Sequence, residues 1–208
     1  MKNRQQVHHL FILDESGSML LIQNYIKKGF KNLFNELVLL NKDMETQDHY
    51  FSLLSFNSNK LSFLNYFETL SDLNKIYLDF YCPNGLTPLY DAIGFSISKI
   101  DAELSLNQIS NVNVTIISDG EENASNEYCK EKVEKIIKGV KKKGWDINYF
   151  GTNHSLENAI DMLGNDKTFS FSSDADGLDL IFDLQLENAI KYSLKIKSNY
   201  IQTDLIRS

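Results

Sequence analysis

Asp14, Ser16 and Ser18 lie in the run Leu10-Phe11-Ile12-Leu13-Asp14-Glu15-Ser16-Gly17-Ser18-Met19. Each of the three carries an oxygen that can bind a hard cation. Mg²⁺ takes such ligands, roughly six of them at about 2.0–2.1 Å. The four apolar residues ahead of Asp14 read as a buried strand. The polar cluster then sits at the strand's C-terminal end, where open α/β sheets bind ligands. An Asp-x-Ser-x-Ser run in that place is a candidate metal loop. The same residues also suit a strand-to-helix turn with serine caps. A second acid, Asp119, follows another apolar run, 112–117, in Ser118-Asp119-Gly120-Glu121-Glu122-Asn123. Between the two acids, Thr87-Pro88 opens a helix after the loop Cys82-Pro83-Asn84-Gly85-Leu86.

The elements that position these residues can be read from periodicity. Residues 7–13, 50–56, 61–67, 112–117, 145–150 and 167–171 are apolar enough for strands. Only Asn57-Ser58-Asn59-Lys60 separates the second from the third. So short a link means a hairpin, hence one antiparallel strand at a sheet edge. Helical spacing covers 19–40, with Gly17 and Ser18 as turn and cap, then 71–80. It continues from Pro88 through Ile100, over 127–143 and 156–163, and from 176 to 206. Pro88 suits the first turn, where a missing N–H is harmless. Alternating strands and helices predict an α/β fold: a doubly wound, Rossmann-like, mostly parallel six-stranded sheet with helices on both faces. All three polar loops then fall at the C-terminal ends of strands, around the switch point.

The chain has 208 residues, 42% of them apolar, which suits one domain with a sizeable core. The expectation is a core over about 7–195 and a helical extension over about 196–208. A net charge of −7 argues against general nucleic-acid binding, which needs Lys and Arg on phosphates. It permits divalent cations and protein partners. Cys82 and Cys129 have neither zinc spacing nor a disulfide framework, and read as free thiols of a reducing cytosol. The apolar run 10–13 is shorter than the roughly 7–15 residues of a secretory signal. No stretch nears the ~18 apolar residues of a membrane span. A cytoplasmic protein is expected, with no membrane role.

Asp14-x-Ser16-x-Ser18, Thr87 in Gly85-Leu86-Thr87-Pro88-Leu89-Tyr90-Asp91-Ala92, and Asp119 in Ile117-Ser118-Asp119-Gly120 resemble the three parts of a known metal site. It is the metal-ion-dependent adhesion site of von Willebrand factor A (VWA) domains. The resemblance covers about residues 7–195, and is greatest to the stand-alone cytoplasmic VWA proteins of bacteria and phages. It implies Mg²⁺ (or Mn²⁺), with Ser16 and Ser18 as direct ligands. Thr87 would bind directly or through water, and Asp14 and Asp119 mostly through water. It implies a protein partner that supplies an Asp or Glu carboxylate, such as a MoxR-type AAA+ ATPase or a signalling protein. It further implies a binding module in signalling, stress response or complex assembly, not an enzyme. Leu86 departs from the pattern, since many relatives have glycine there.

An enzymatic alternative is a Mg²⁺-dependent phosphotransferase with Asp14 as nucleophile. Haloacid-dehalogenase phosphatases usually carry a second Asp two residues on, where this chain has Ser16. Neither serine sits in Gly-x-Ser-x-Gly, and a Gly-x-Gly-x-x-Gly turn is missing. Among neighbours, Glu15 is expected as a solvated rim residue. Glu121 and Glu122 suit the N-terminus of the helix that follows them. His154 is expected near the rim. His8, His9 and His49 lack ligand spacing and read as structural or exposed. Asp91, one helical turn past Thr87, is in reach of a supporting hydrogen bond but reads first as an ordinary helix residue.

Overall fold

β1 (Gln5–Asp14) is the central strand, and Val7 through Asp14 are all buried. A strand covered on both faces shows no alternation of apolar and polar residues. The computed structural model describes residues 4–73, 75–107, 111–152 and 156–207. On one side β1 pairs in parallel with β2 (Gln47–Asn57), and β2 pairs antiparallel with β3 (Lys60–Thr69). On the other side β1 pairs in parallel with β4 (Asn111–Ser118). β4 continues to β5 (Asp146–Gly151), and β5 to the three-residue β6 (Thr168–Ser170). The order is β3-β2-β1-β4-β5-β6, so the expected sheet, with its antiparallel edge strand, is the one formed. The winding reverses between β1 and β4, which places the switch-point crevice at their C-terminal ends.

Odd and even residues of β1 serve two different cores. Phe11 and Leu13 face α1 (Gln23–Asp43) and α5 (Ala175–Arg207), where Phe30, Leu37, Leu178 and Ile181 meet them. Leu10 and Ile12 face α2 (Leu89–Asn107), α3 (Lys130–Lys142) and α4 (Leu156–Leu163) through Ile93, Ile97, Val133 and Met162. Farther along α5, Tyr192 and Ile196 close over Val7 at the opposite end of β1.

Three boundaries differ from the sequence expectation for physical reasons. The helix expected over 71–80 is reduced to a short 3₁₀ turn, Leu78–Phe80. The buried Asn65 takes the backbone of this segment instead: its amide donates to Lys75 O at 3.3 Å and accepts from Tyr77 N at 3.2 Å. The helix expected from 127 starts at Lys130, because the N–H groups of the preceding residues are held by the Asp91 side chain of α2. α1 is preceded by a 3₁₀ turn, Gly17–Ile22, and the residue in its cap position is Ser16. On β3, Phe67 adopts a left-handed φ of 52°, and the ladder to β2 shifts register twice between Phe51 and Leu54. Ser52 Oγ accepts the Phe67 N–H at 2.8 Å. Among the described residues no helix is long and apolar enough to cross a membrane.

His8, His9 and His49 are all buried. His9 Nε2 lies 2.9 Å from His49 Nδ1, and His49 Nε2 lies 3.0 Å from Gln47 Oε1. Gln47 in turn donates to Ser193 O of α5 at 2.7 Å. On the other face, His8 Nε2 lies 3.1 Å from Ser52 Oγ. Burial lowers all three pKa values, to about 3 for His8 and about 4 for His49, with the charges of His49 and His8 adding to the effect at His9. The unfolded chain takes up these protons near pH 6.5, while the folded chain resists them. Stability is therefore greatest above pH 6.5 and declines as pH falls toward 4. Melting temperatures measured across that window should show the decline, and His49→Asn should reduce its slope.

Candidate metal centre

Asp14 ends β1 with its side chain fully buried. Its Oδ1 accepts the Ser16 N–H at 2.7 Å, and its Oδ2 accepts the Ser118 hydroxyl at 2.6 Å. The buried Tyr81 donates its OH to Asp14 O at 2.8 Å and pins the strand end. Ser16 makes no side-chain capping bond to the turn it precedes. Its Oγ lies instead 3.1 Å from Ser18 Oγ, and Ser18 Oγ donates to Asp119 Oδ1 at 2.6 Å. The hydroxyls that could have capped the 3₁₀ turn are thus directed at one another and at the second acid.

Thr87 is buried and its backbone is clamped on both sides by Asn123. Thr87 N donates to Asn123 Oδ1 at 2.8 Å, and Thr87 O accepts from Asn123 N at 3.1 Å. Gly120 reveals where the three loops converge. A β carbon on Gly120 would lie 2.9 Å from Thr87 Oγ1, 3.6 Å from Asp14 Oδ2 and 3.6 Å from Ser18 Oγ. One point beside a glycine of the third loop therefore looks onto three oxygens from the other two, two of them from the 14–18 loop and one from Thr87. Ser16 and Asp119 are each one hydrogen bond away through Ser18. All five residues singled out in the sequence are gathered here. The donor set is three hydroxyls and two carboxylates, the oxygen-only chemistry that suits Mg²⁺ or Mn²⁺. Among the described residues no three His, Cys, Asp or Glu side chains gather as metal ligands, so the set depends on its hydroxyls.

The electrostatics point the same way. Burial pushes the Asp14 carboxyl up to about 6, against the hydrogen bonds from Ser118 and Ser16 and with the Asp119 charge adding to the rise. Burial also raises Asp119, against the hydrogen bond from Ser18. Two acids whose ionised forms are penalised make a place where a cation is stabilised.

Several residues shape the site in ways that differ from their sequence readings. Glu15 is not a solvated rim residue but is buried. Its Oε1 accepts the Cys82 N–H at 2.6 Å, and Lys60 Nζ pairs with its Oε2 at 2.9 Å. Its backbone N–H donates to Phe56 O at 2.7 Å, and its carbonyl accepts from Asn84 N at 2.9 Å. Glu15 therefore straps the β2–β3 hairpin and the 82–86 loop to the Asp14 loop. Glu122 does not serve the helix after it. It accepts the Tyr90 N–H at the start of α2 at 2.8 Å, besides Ala124 and Ser125 of its own loop. Asp91 is more than an ordinary helix residue, since it accepts the N–H groups of Asn126, Glu127 and Tyr128 at 2.8–2.9 Å. Gly85, at φ +75°, brings its carbonyl to within 3.0 Å of Gly17 N. Glu121 is exposed, and His154 lies outside the described residues.

No protein-family model matches the sequence, and no curated protein sequence matches it. Solved structures do resemble it. Proximal thread matrix protein 1 from the mussel byssus superposes with a TM-score of 0.64 at 15% identity, over 90% of this chain and 47% of that one. A von Willebrand factor type A protein from Catenulispora acidiphila gives 0.59 at 13% identity, over 91% of this chain and 43% of that one. The SpRpn10 VWA domain gives 0.56 at 15% identity, over 83% of this chain and 91% of that one. The chain thus spans about half the length of the mussel protein and less than half that of the Catenulispora protein. At such identities the likeness is one of architecture, and the architecture of this chain is that of a VWA domain.

Proposed function

We propose that the protein is a cation-dependent protein-interaction module. In this reading Ser16, Ser18 and Thr87 with Asp14 and Asp119 hold Mg²⁺ or Mn²⁺, and a partner's Asp or Glu completes the site. The observation that carries the reading is the point beside Gly120 of the third loop, faced by Asp14, Ser18 and Thr87 oxygens from the other two and filled by no side chain. When bound, the cation would supply a positive charge at a position open to an outside oxygen. Mg²⁺ sheds water reluctantly and rarely sits in an all-protein cage, so a shared site of this kind suits it. Neutral hydroxyls would leave the ion much of its charge and so favour an anionic partner group.

Binding is favoured over catalysis by the state of Asp14. Both its oxygens accept hydrogen bonds and its side chain is buried, so it is poorly placed to attack a phosphoryl group. Exposed thiols at Cys82 and Cys129 suit a reducing cytoplasm.

Calorimetric titration with Mg²⁺, together with circular dichroism, tests the proposal. Gly120→Ala should keep the native spectrum, because its backbone is not in the left-handed region, and should lose Mg²⁺ binding. Undiminished affinity in that variant would show that the cation, if bound, lies elsewhere. Asp14→Ala should likewise remain folded and bind no Mg²⁺. For the wild-type chain, Mg²⁺ at a hundred times its Kd should stabilise the fold by about 2.7 kcal/mol, read as a rise in melting temperature. That rise should be absent in both variants.

A further inference from the structure

The 3₁₀ turn after Ser16 has one face that the core does not use. With three residues per turn, side chains at i and i+3 stand one above the other. Met19 and Ile22 form the buried pair. Leu20 therefore stands over Gly17, and Leu21 over Ser18. Gly17 abuts the next loop, since its N–H donates to Gly85 O at 3.0 Å. Leu20 is thus stacked on the residue bonded to Gly85, which precedes Leu86, and Leu21 on the residue that carries the Ser18 hydroxyl. All three leucines face solvent: Leu21 is 89% exposed, Leu86 54% and Leu20 51%. A single exposed leucine is unremarkable, but here three adjoin site residues in the chain, Leu20 and Leu21 just after Ser18 and Leu86 just before Thr87, and exposed apolar groups clustered in this way mark interaction surfaces.

Charge around the site is equally one-sided. Residues 16–26 and 80–90, which carry the three hydroxyl donors and the three leucines, contain no Asp, Glu, Lys or Arg. The third loop is acidic, with Asp119, Glu121 and Glu122. Glu122 is occupied by backbone N–H groups, whereas Glu121 is exposed. A carboxylate approaching along the third loop meets like charge. One approaching over the leucines does not.

We infer that the occupant of this surface is a protein segment whose bridging Asp or Glu has bulky apolar side chains beside it. Those side chains lie over Leu20, Leu21 and Leu86, and the segment runs away from Glu121. The inference rests on the metal-bridge function proposed above, with the leucines selecting among the acids that a cation alone would accept.

A phage-displayed random peptide library, panned on the Mg²⁺-loaded protein, tests this. Peptides should enrich that carry an acid with a bulky apolar residue within three positions, and they should release in EDTA. A synthetic peptide of the enriched sequence should bind the Leu21→Gln/Leu86→Gln double variant at least about tenfold more weakly, since uncovering even one of the two aliphatic contacts costs that much. The variant's Mg²⁺ affinity and circular dichroism should be those of the wild type, since both positions are solvent-facing. Enrichment of acids without an apolar preference, or equal affinity for the variant, would overturn the inference and leave the metal bridge standing. Failure to enrich any peptide in Mg²⁺ would also overturn it. Acid-free peptides that bind in EDTA would remove the metal bridge as well. Self-association in sedimentation experiments that the double variant abolishes would make a second copy the occupant and overturn the inference in another way.

Discussion

The burial of a carboxylate at the end of the central strand is the constraint on which the site depends. Asp14 has no room to be solvated, and its ionised form is disfavoured by burial. Its two oxygens must therefore be met from within the protein. Ser16 meets one and Ser118 the other. The first fixes how the chain leaves β1. The second exists because β4 lies alongside in parallel register, with Leu13 opposite Ile117, so that Ser118 is level with Asp14. Sheet topology and site chemistry are in this sense one requirement: without β4 next to β1, the acid would lack a partner and the second acid would be far away.

The loops around that acid are held by side chains acting on backbone, at long range in sequence. Glu15 reaches Cys82, Asn123 clamps Thr87, Glu122 grips the start of α2, and Asp91 answers by gripping the loop that follows Glu122. Bonds between a charged carboxylate and an amide N–H are among the stronger hydrogen bonds. They also satisfy loop N–H groups that no strand or helix reaches. A donor arrangement set in advance loses less freedom when a ligand arrives, which raises affinity without any new contact. The hydroxyls of Ser16 and Ser18 contribute by omission, since neither is spent on capping the turn between them and α1.

Much of this was legible in the sequence, and the remainder was not for a definable reason. The strands announced themselves through apolar runs, and the hairpin through the brevity of its turn. The five polar residues could be picked out because each lies where an apolar run stops or a helix starts. What periodicity cannot convey is a partner many residues away. Glu15 looked like a surface acid because Cys82 and Lys60 are 67 and 45 positions distant. The segment 71–80 looked helical because nothing local shows that Asn65 will take its backbone. Gly120 was passed over for another reason. A glycine after an acid reads as a turn, and only the folded arrangement shows that the absent methyl would have filled the space between three oxygens.

The margins of the sheet bear on how the molecule behaves in company. β6 offers only three residues along one margin. Along the other, β3 is kinked by the left-handed Phe67 and by two slips of register against β2. An open strand is a template on which further strands can pair, and short or irregular strands are the usual defence. Neither margin of this sheet provides a long, regular ladder. Growth into ribbons of joined sheets is therefore disfavoured at both margins when copies are crowded together. Its associations are left to surfaces built from side chains, where contacts can be made and broken without unravelling the fold.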